Sequence, residues 1–417
     1  MVTFKNISII IPVGPSEALL EALLQDLQPV EKDAEIIIVK GSSRSEQLNE
    51  GAQKATRDFF WFLHADSRLS TKTLKALLES LNNNPHALHY FNLRFLLDGP
   101  PFTRINELGC WIRSEWMGIP FGDQGFCLSR ENFAFMGGFP EDVAYGEDHV
   151  FIWRAHQKAI KLLSTGSILK TSARKYREQG WLKTTLLYYK LWTKQASLER
   201  KKLKKIQRGQ SSALAVFVKT PGLTPIKTRL AQTIGHESAL EFYEFCLQAM
   251  KSVIKHVEKD SDIYPYWAVA ESAGLNDFRW GDFSRILQGD GGLGERLHCI
   301  YSKLYNVYQR VMLIGSDAPQ LTSNILLKAH QTLQDKNKFV IGPARDGGFY
   351  LFGGSAPLPK EVWESVAYSQ VDTCEELMAK VKNYGEIVLL PKLSDVDVYE
   401  DLVFLKNELQ SQEVLWV

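Results

Sequence analysis

The stretch Phe59-Phe60-Trp61-Phe62-Leu63-His64-Ala65-Asp66 constrains the fold more than any other part of the chain. Five apolar residues in a row, four of them aromatic, show no polar alternation. They read as a strand covered on both faces, the kind found inside a mostly parallel sheet. Leu69-Ser70-Thr71 then opens a helical pattern, with Leu74, Leu77, Leu78 and Leu81 on one side. Ser70 or Thr71 is placed to cap the free N–H groups of that helix. In open α/β sheets ligands meet the carboxyl ends of the strands, so Asp66 stands where a metal or a sugar would be met. An acid that merely ends a strand is the other reading of the same residue.

A second stretch repeats the pattern. Val311-Met312-Leu313-Ile314-Gly315-Ser316-Asp317 is again an apolar strand closing on an acid, and Leu321-Thr322-Ser323 again starts a helical pattern. Upstream, Ile7 to Val13 and Leu214 to Val218 are both short β-rich runs that stop at Pro/Gly loops. One structural unit used twice accounts for both halves, although any two α/β domains share a strand-loop-helix rhythm. A length of 417 residues gives two or three domains.

The rest of the composition mainly excludes. A formal net charge of +1 gives no global attraction to nucleic acid or to anionic membranes. Five dispersed cysteines with no C-x-x-C pair fit a reducing cytoplasm and no zinc site. No run approaches the roughly 20 apolar residues that cross a bilayer. A soluble, cytoplasmic protein is expected.

In the first half, Ile7 to Ile11, Glu35 to Val39 and the Phe59 run alternate with helical patterns, a βαβαβ opening with right-handed crossovers. Leu88 to Leu96 is a further strand. Gly122-Asp123-Gln124-Gly125 puts a polar pair between glycines just before another strand, where it would line a pocket. Glu147-Asp148 opens a helix that continues through Val150 to Ala159. The helix dipole alone accounts for two acids there; the functional reading makes one of them a general base.

These residues carry a resemblance. Ile9-Ile10-Ile11-Pro12, Leu48-Asn49-Glu50-Gly51-Ala52, Phe62-Leu63-His64-Ala65-Asp66, Gly122-Asp123-Gln124-Gly125, Gly137-Gly138-Phe139-Pro140, Glu147-Asp148 and Thr171-Ser172-Ala173-Arg174 follow one another in an order that resembles family 2 inverting glycosyltransferases of the GT-A fold. The similarity is to the small transferase group linked to radical-SAM and arsenosugar gene clusters, and it spans Met1 to about Ser197. It implies that Asp66, beside His64, holds a divalent metal on a sugar-nucleotide diphosphate, and that Asp148, with Glu147, deprotonates the acceptor. It implies Gly122, Asp123 and Gln124 as donor-site residues. Two positions depart from that pattern: Pro15-Ser16 replaces Asn-Glu, and Lys40-Gly41-Ser42-Ser43 replaces Asp-Gly-Gly-Ser. Both normally grip the nucleotide base and ribose.

At the join, Arg177 to Gln195 mixes Trp181, Leu186, Tyr189 and Trp192 with basic residues. Such a helix packs on its own domain or lies on a membrane surface. The basic run from Arg200 to Arg208 and the Gly209-Gln210-Ser211-Ser212 that follows read as a linker over 198–212, between domains at 1–197 and 213–417.

In the second half, a Gly222-restrained loop carries Lys227, Thr228 and Arg229 to a helix start. It reads as a polyphosphate cradle or as a capped helix with surface cations; Walker A spacing is absent. Gly291-Gly292-Leu293-Gly294-Glu295-Arg296 is a glycine-rich loop opening a helix, and Asp346-Gly347-Gly348 puts a carboxylate at the tip of a strand pair. Asp317 with Asp395 and Asp397 offers the oxygen donors that Mg²⁺ prefers. This half resembles the companion, DUF2064-type transferase group of the same gene clusters, related to GT-A nucleotidyltransferases, although Thr224 stands where the family has a glycine. The two resemblances together imply an α/β chain of two GT-A-like domains in tandem. It would be a bifunctional transferase using a UDP- or GDP-type sugar nucleotide, Mg²⁺ or Mn²⁺ and a small acceptor. The alternative is that only the second domain is catalytic, as a nucleotidyltransferase, and the first is a binding or scaffold module.

Overall fold

A computed structural model describes residues 1–14, 19–41 and 43–411. The departures at Pro15, Ser16 and Ser42 lie outside the described residues. The chain divides into two units, Met1–Lys204 and Lys205–Val417, each taken by itself below.

The first unit alternates β1 (Ile7–Val13), α1 (Leu20–Leu27), β2 (Glu35–Lys40), α2 (Arg44–Lys54), β3 (Phe59–Phe62), α3 (Thr71–Asn83) and β4 (Leu88–Phe95). Then follow α4 (Thr103–Glu115), β5 (Cys127–Ser129), α5 (Arg130–Met136), α6 (Glu147–Gln157), β6 (Leu162–Thr171), α7 (Arg174–Gln179) and α8 (Trp181–Gln207). The strands form one sheet in the order β2-β1-β3-β5-β4-β6, with β5 antiparallel to both neighbours.

The Phe59 run is buried along its whole length, as its unbroken apolar pattern requires. Trp61 and Leu63 pack in one layer with Leu74, Leu77 and Leu81 of α3. Phe60 and Phe62 pack in the opposite layer with Phe133, Phe139 and Phe151. Each buried leucine of α3 contributes about 2 kcal/mol, enough to fix the helix on the sheet. Of the two possible caps the structure uses Ser70, whose Oγ accepts from the Thr73 N–H at 3.2 Å. The helix α2 lies so close to β1 that a Cβ on Gly51 would stand 2.4 Å from Ile10 Cγ2. That contact explains a glycine inside a helix.

The basic segment expected as a linker is mostly helix. The 27-residue α8 runs through it to Gln207, leaving four residues before the next strand. The reason is an inward face that the charge density hides. Glu199 accepts from Gln157 Nε2 and Lys202 Nζ, both at 2.8 Å, and Ile206 is buried.

The second unit contains β7 (Ser212–Val218), α9 (Thr228–Ile234), α10 (His236–Asp260), β8 (Ile263–Val269), β9 (Ser284–Leu287), α11 (Leu293–Tyr308) and β10 (Val311–Ile314). It continues with α12 (Ser323–Thr332), β11 (Lys338–Pro343), β12 (Phe349–Gly354), α13 (Lys360–Glu364), α14 (Thr373–Val381), β13 (Glu386–Leu389) and α15 (Tyr399–Ser411). Its sheet order is β13-β11-β12-β10-β7-β8-β9, with β12 antiparallel to both neighbours. Read from the β9 edge, this is the first sheet with one strand added. β10 takes the place of β3, and β12 takes the place of β5. The two apolar runs that end on acids are thus the same strand of a repeated fold. Among the described residues no helix is long and apolar enough to cross a membrane.

Candidate active sites

In the first unit the carboxyl end of the sheet gathers residues from four elements. Asp66 follows β3, and its Oδ1 accepts from Thr171 Oγ1, at the end of β6, at 3.2 Å. Asp148 lies in the first turn of α6, which starts at Glu147 after Gly146 in a left-handed conformation. Its Oδ2 accepts from the Gly122 N–H at 2.6 Å and its Oδ1 from the His149 N–H at 2.8 Å. Two backbone donors fix the plane of that carboxylate. A Cβ on Gly122 would stand 3.2 Å from Asp148 Oδ2 and 3.3 Å from His64 Nε2, so His64 and Asp148 flank the same glycine. Burial, with the Arg44 charge adding to it, keeps the His64 imidazole neutral to well below its usual range.

Asp123 completes the cluster. Its Oδ1 is buried with no hydrogen-bond partner among the described residues. Burial, aided by Asp148 and Asp66 against Arg113 and Arg44, pushes its carboxyl up to about 6. Burial and then Asp148 push Glu147 up as well, and Arg44 stands 3.9 Å from it. Gln124, expected to line the pocket, faces inward instead. Its Oε1 accepts from Ser114 Oγ and the Phe121 N–H, and its Nε2 donates to the Phe91 carbonyl, at 2.9–3.0 Å. A buried amide in a tight turn is needed for backbone satisfaction, and here that need takes the side chain.

Sequence reasoning missed Arg44, Arg113 and Gln195. Arg113 sits with its guanidinium 3.4 Å from the Phe121 ring centre, beside Asp123. Gln195, on α8, accepts from His149 Nδ1 at 2.6 Å and donates to the Tyr145 carbonyl at 3.0 Å. It thereby clamps both sides of the Glu147-Asp148 turn. No motif spacing marks these residues, because each arrives from a different element.

In the second unit, Lys227 caps α9 with φ of +44° and buries its ammonium. Nζ lies 3.0 Å from Asp317 Oδ2 and 3.4 Å from Asp397 Oδ1, and donates to the Val396 carbonyl. Arg229 reaches Asp397 at 3.5 Å. Burial and then Asp317 push Asp395 up to about 7, with Lys227 opposing. The three acids expected to hold one Mg²⁺ are therefore gathered around a lysine. Among the described residues no group of three or more His, Cys, Asp and Glu is arranged to hold a metal ion.

The other expected residues of this unit hold the surrounding loops. Asp346 Oδ1 accepts from the Gly348 N–H at 2.9 Å, and Arg296 Nε donates to the Gly291 carbonyl at 3.0 Å. A Cβ on Gly347 would meet the Val371 carbonyl, and one on Gly294 the Trp363 carbonyl at 2.5 Å. Gly222 has φ of +89°, open only to glycine without strain.

Two sheets of one topology, each with acids at the carboxyl ends of its central strands, define a chain of two GT-A-like, nucleotide-diphospho-sugar transferase-like domains. Residues 3–137 match the family described as glycosyl transferase family 2, and residues 256–370 match the family described as uncharacterized protein conserved in bacteria (DUF2064). No curated protein matches the chain. Among solved structures, it is similar to a putative nucleotide-diphospho-sugar transferase from Desulfovibrio desulfuricans G20, at 28% identity over 48% of this chain and 89% of that one, TM-score 0.44. It is also similar to S. aureus TarS 1-349 in complex with UDP-GlcNAc (17%, 40% and 58%, TM-score 0.30). A third is the mannosyltransferase PcManGT from Pyrobaculum calidifontis in complex with GDP-Man and Mn2+ (15%, 40% and 56%, TM-score 0.31). The chain spans just over half the length of the latter two.

Proposed function

We propose that the chain is a bifunctional sugar-nucleotide-dependent transferase. The first domain passes a glycosyl group to a small acceptor, and the second binds or makes the activated sugar nucleotide. The observation that carries this reading is the carboxylate of Asp148. It is held in one plane by two backbone N–H groups beside Gly122 and faces a site that also holds Asp66 and Asp123. Asp148 takes the proton of the acceptor hydroxyl, whose oxygen displaces the nucleoside diphosphate from the sugar carbon with inversion. Positioning by the turn that Gln195 clamps supplies much of the rate.

A divalent cation fits both sites, because Mg²⁺ needs only one or two protein carboxylates beside phosphate and water. Asp66, with the neutral His64, would hold it in the first domain. Asp317 and Asp395, a pair whose repulsion Lys227 leaves incompletely neutralised, would hold it in the second. When bound, such a cation neutralises the charge of the leaving diphosphate. Lys227 and Arg229 then face the same anion as fixed cations. The five free thiols support a reducing, cytoplasmic compartment. The group resembled by the first half points to an arsenosugar-type pathway for the acceptor.

The test is calorimetric titration of UDP, GDP, CDP and their sugar conjugates, with Mg²⁺ or Mn²⁺, into the full chain and into Asp66→Ala and Asp317→Ala. Two binding events, each removed by one substitution, are expected. Loss of neither would sink the two-site reading. The second reading, a scaffold role for the first domain, rests on the absence of an acid at Lys40-Gly41, where β2 ends. Product formation unchanged in Asp148→Asn would establish it.

A further inference from the structure

The first turns of α4 and α8 meet, and the contacts advance along both helices in the same direction. The Phe102 and Trp181 rings are 5.4 Å apart, and Trp181 Nε1 donates to Asn106 Oδ1 at 2.6 Å. Asn106 Nδ2 in turn donates to Thr185 Oγ1 at 3.2 Å, one turn further along α8. Away from this seam α4 exposes Ile105, Leu108, Ile112 and Trp116, and α8 exposes Leu182, Leu186 and Tyr189. At about 100° per residue, each row lies roughly a quarter turn from its seam residues, in opposite senses on the two helices. Parallel helices facing each other therefore bring both rows out on one side.

The exposure is large. Leu108 and Leu186 are 58% and 59% exposed, and Trp116 77%. Contiguous apolar rows of this kind mark an interaction surface, not scattered surface residues. The charge along α8 is nearly all of one sign, while α4 balances Arg104 and Arg113 with Glu107 and Glu115. From Trp181 to Gln207 the helix carries eight Lys and Arg against a single acid, Glu199, which is already paired. Continuing along the same side of α8, Thr193, Ser197, Arg200 and Lys204 border a cleft of about 760 Å³. Met117, Trp153 and Trp192 supply its apolar wall, and Arg200, Lys201 and Lys204 its cations.

We propose that this face docks on an anionic phospholipid bilayer. The apolar rows enter the headgroup layer, and the cationic cleft receives a lipid phosphate. Basic helices with an apolar face bind membranes in this way, and anionic headgroups meet the excess of lysine and arginine. A second copy of the chain fits the face less well, since it would bring the same cations together.

The experiment is co-sedimentation of the full chain with phosphatidylcholine vesicles, with and without phosphatidylglycerol. Binding is expected only with phosphatidylglycerol, and it weakens as salt is raised. Arg200→Ala/Lys204→Ala should lower the partition roughly twenty-five-fold, at about fivefold per cation. Leu108→Glu/Leu186→Glu should abolish it, with circular dichroism and thermal unfolding showing that both variants fold. No binding, equal binding to neutral vesicles, or binding indifferent to both variants overturns the proposal. A dimer in light scattering that Leu108→Glu/Leu186→Glu dissociates also overturns it, by assigning the face to a second copy.

Discussion

Replacing Lys227 by Met tests whether the ammonium is what holds the acids of the second site together. Methionine keeps the length and apolar stem and also keeps the left-handed backbone at this position, so the charge is what changes. At 3.0 Å from Asp317 Oδ2, the attraction is about 5.5 kcal/mol with an effective dielectric of 20. Asp397 is 43% exposed and screened by solvent, so it adds little. Desolvation of the lysine offsets part of the attraction, and removal of one partner from such a buried pair costs about 3–5 kcal/mol. The lower end, about 3 kcal/mol, applies here because Asp317 is itself 30% exposed. The loss also depends on pH. Asp395 titrates near 7 with the lysine present, above its unfolded value, so the fold loses stability as pH rises toward 7. Without the lysine its folded value moves higher and the loss continues past pH 7, so the gap between variant and wild type widens from pH 6 to pH 8.5. Urea titration read by hydrogen exchange, on peptides from β10 and from α15, measures the second unit while the first serves as internal reference. A cost below about 1 kcal/mol, or a gap that narrows with rising pH, refutes the caged-lysine reasoning.

Three other perturbations have definite expected outcomes. His89 donates to the Asn84 carbonyl and accepts from Ser80, and burial holds it neutral below its usual value. Its contribution to stability is complete above pH 6.5 and falls by up to about 1.4 kcal/mol per pH unit below it, so His89→Gln should flatten the acid limb of a stability–pH curve. Gly51→Ala puts a methyl 2.4 Å from Ile10 Cγ2 and should cost about 1–3 kcal/mol by chemical denaturation, since the helix must lift from the sheet. Gly146→Ala meets both a left-handed backbone and Gln195 Oε1 at 2.6 Å. It should lower kcat at least tenfold with sugar-nucleotide affinity nearly unchanged; loss of affinity instead would move the Glu147-Asp148 turn from catalysis to donor binding.

What the residues disclose in advance follows from how local each determinant is. β3 and β10 are legible because a wholly apolar strand can only be covered on both faces, and the acid after each marks the ligand edge of any parallel sheet. The insertion of β5 and β12 as antiparallel strands is not legible, because it depends on which neighbour each short strand finds. The end of α8, from residue 198, reads as a linker from its lysines, yet Glu199 and Ile206 are buried and it stays helical. Arg113 and Gln195 come from helices with no motif and reach the site only through packing. The second site shows the limit most clearly. Asp317, after β10, and Asp395 and Asp397, in the loop before α15, demand positive charge, and the sequence pattern suits a metal ion and a lysine equally. Only the approach of α9 decides that Lys227 supplies it, and that approach leaves Asp395 under-neutralised. A bound phosphate would draw Lys227 and Arg229 toward itself and free the carboxylates for a cation. The lysine and the metal would then be alternating occupants of one acidic site.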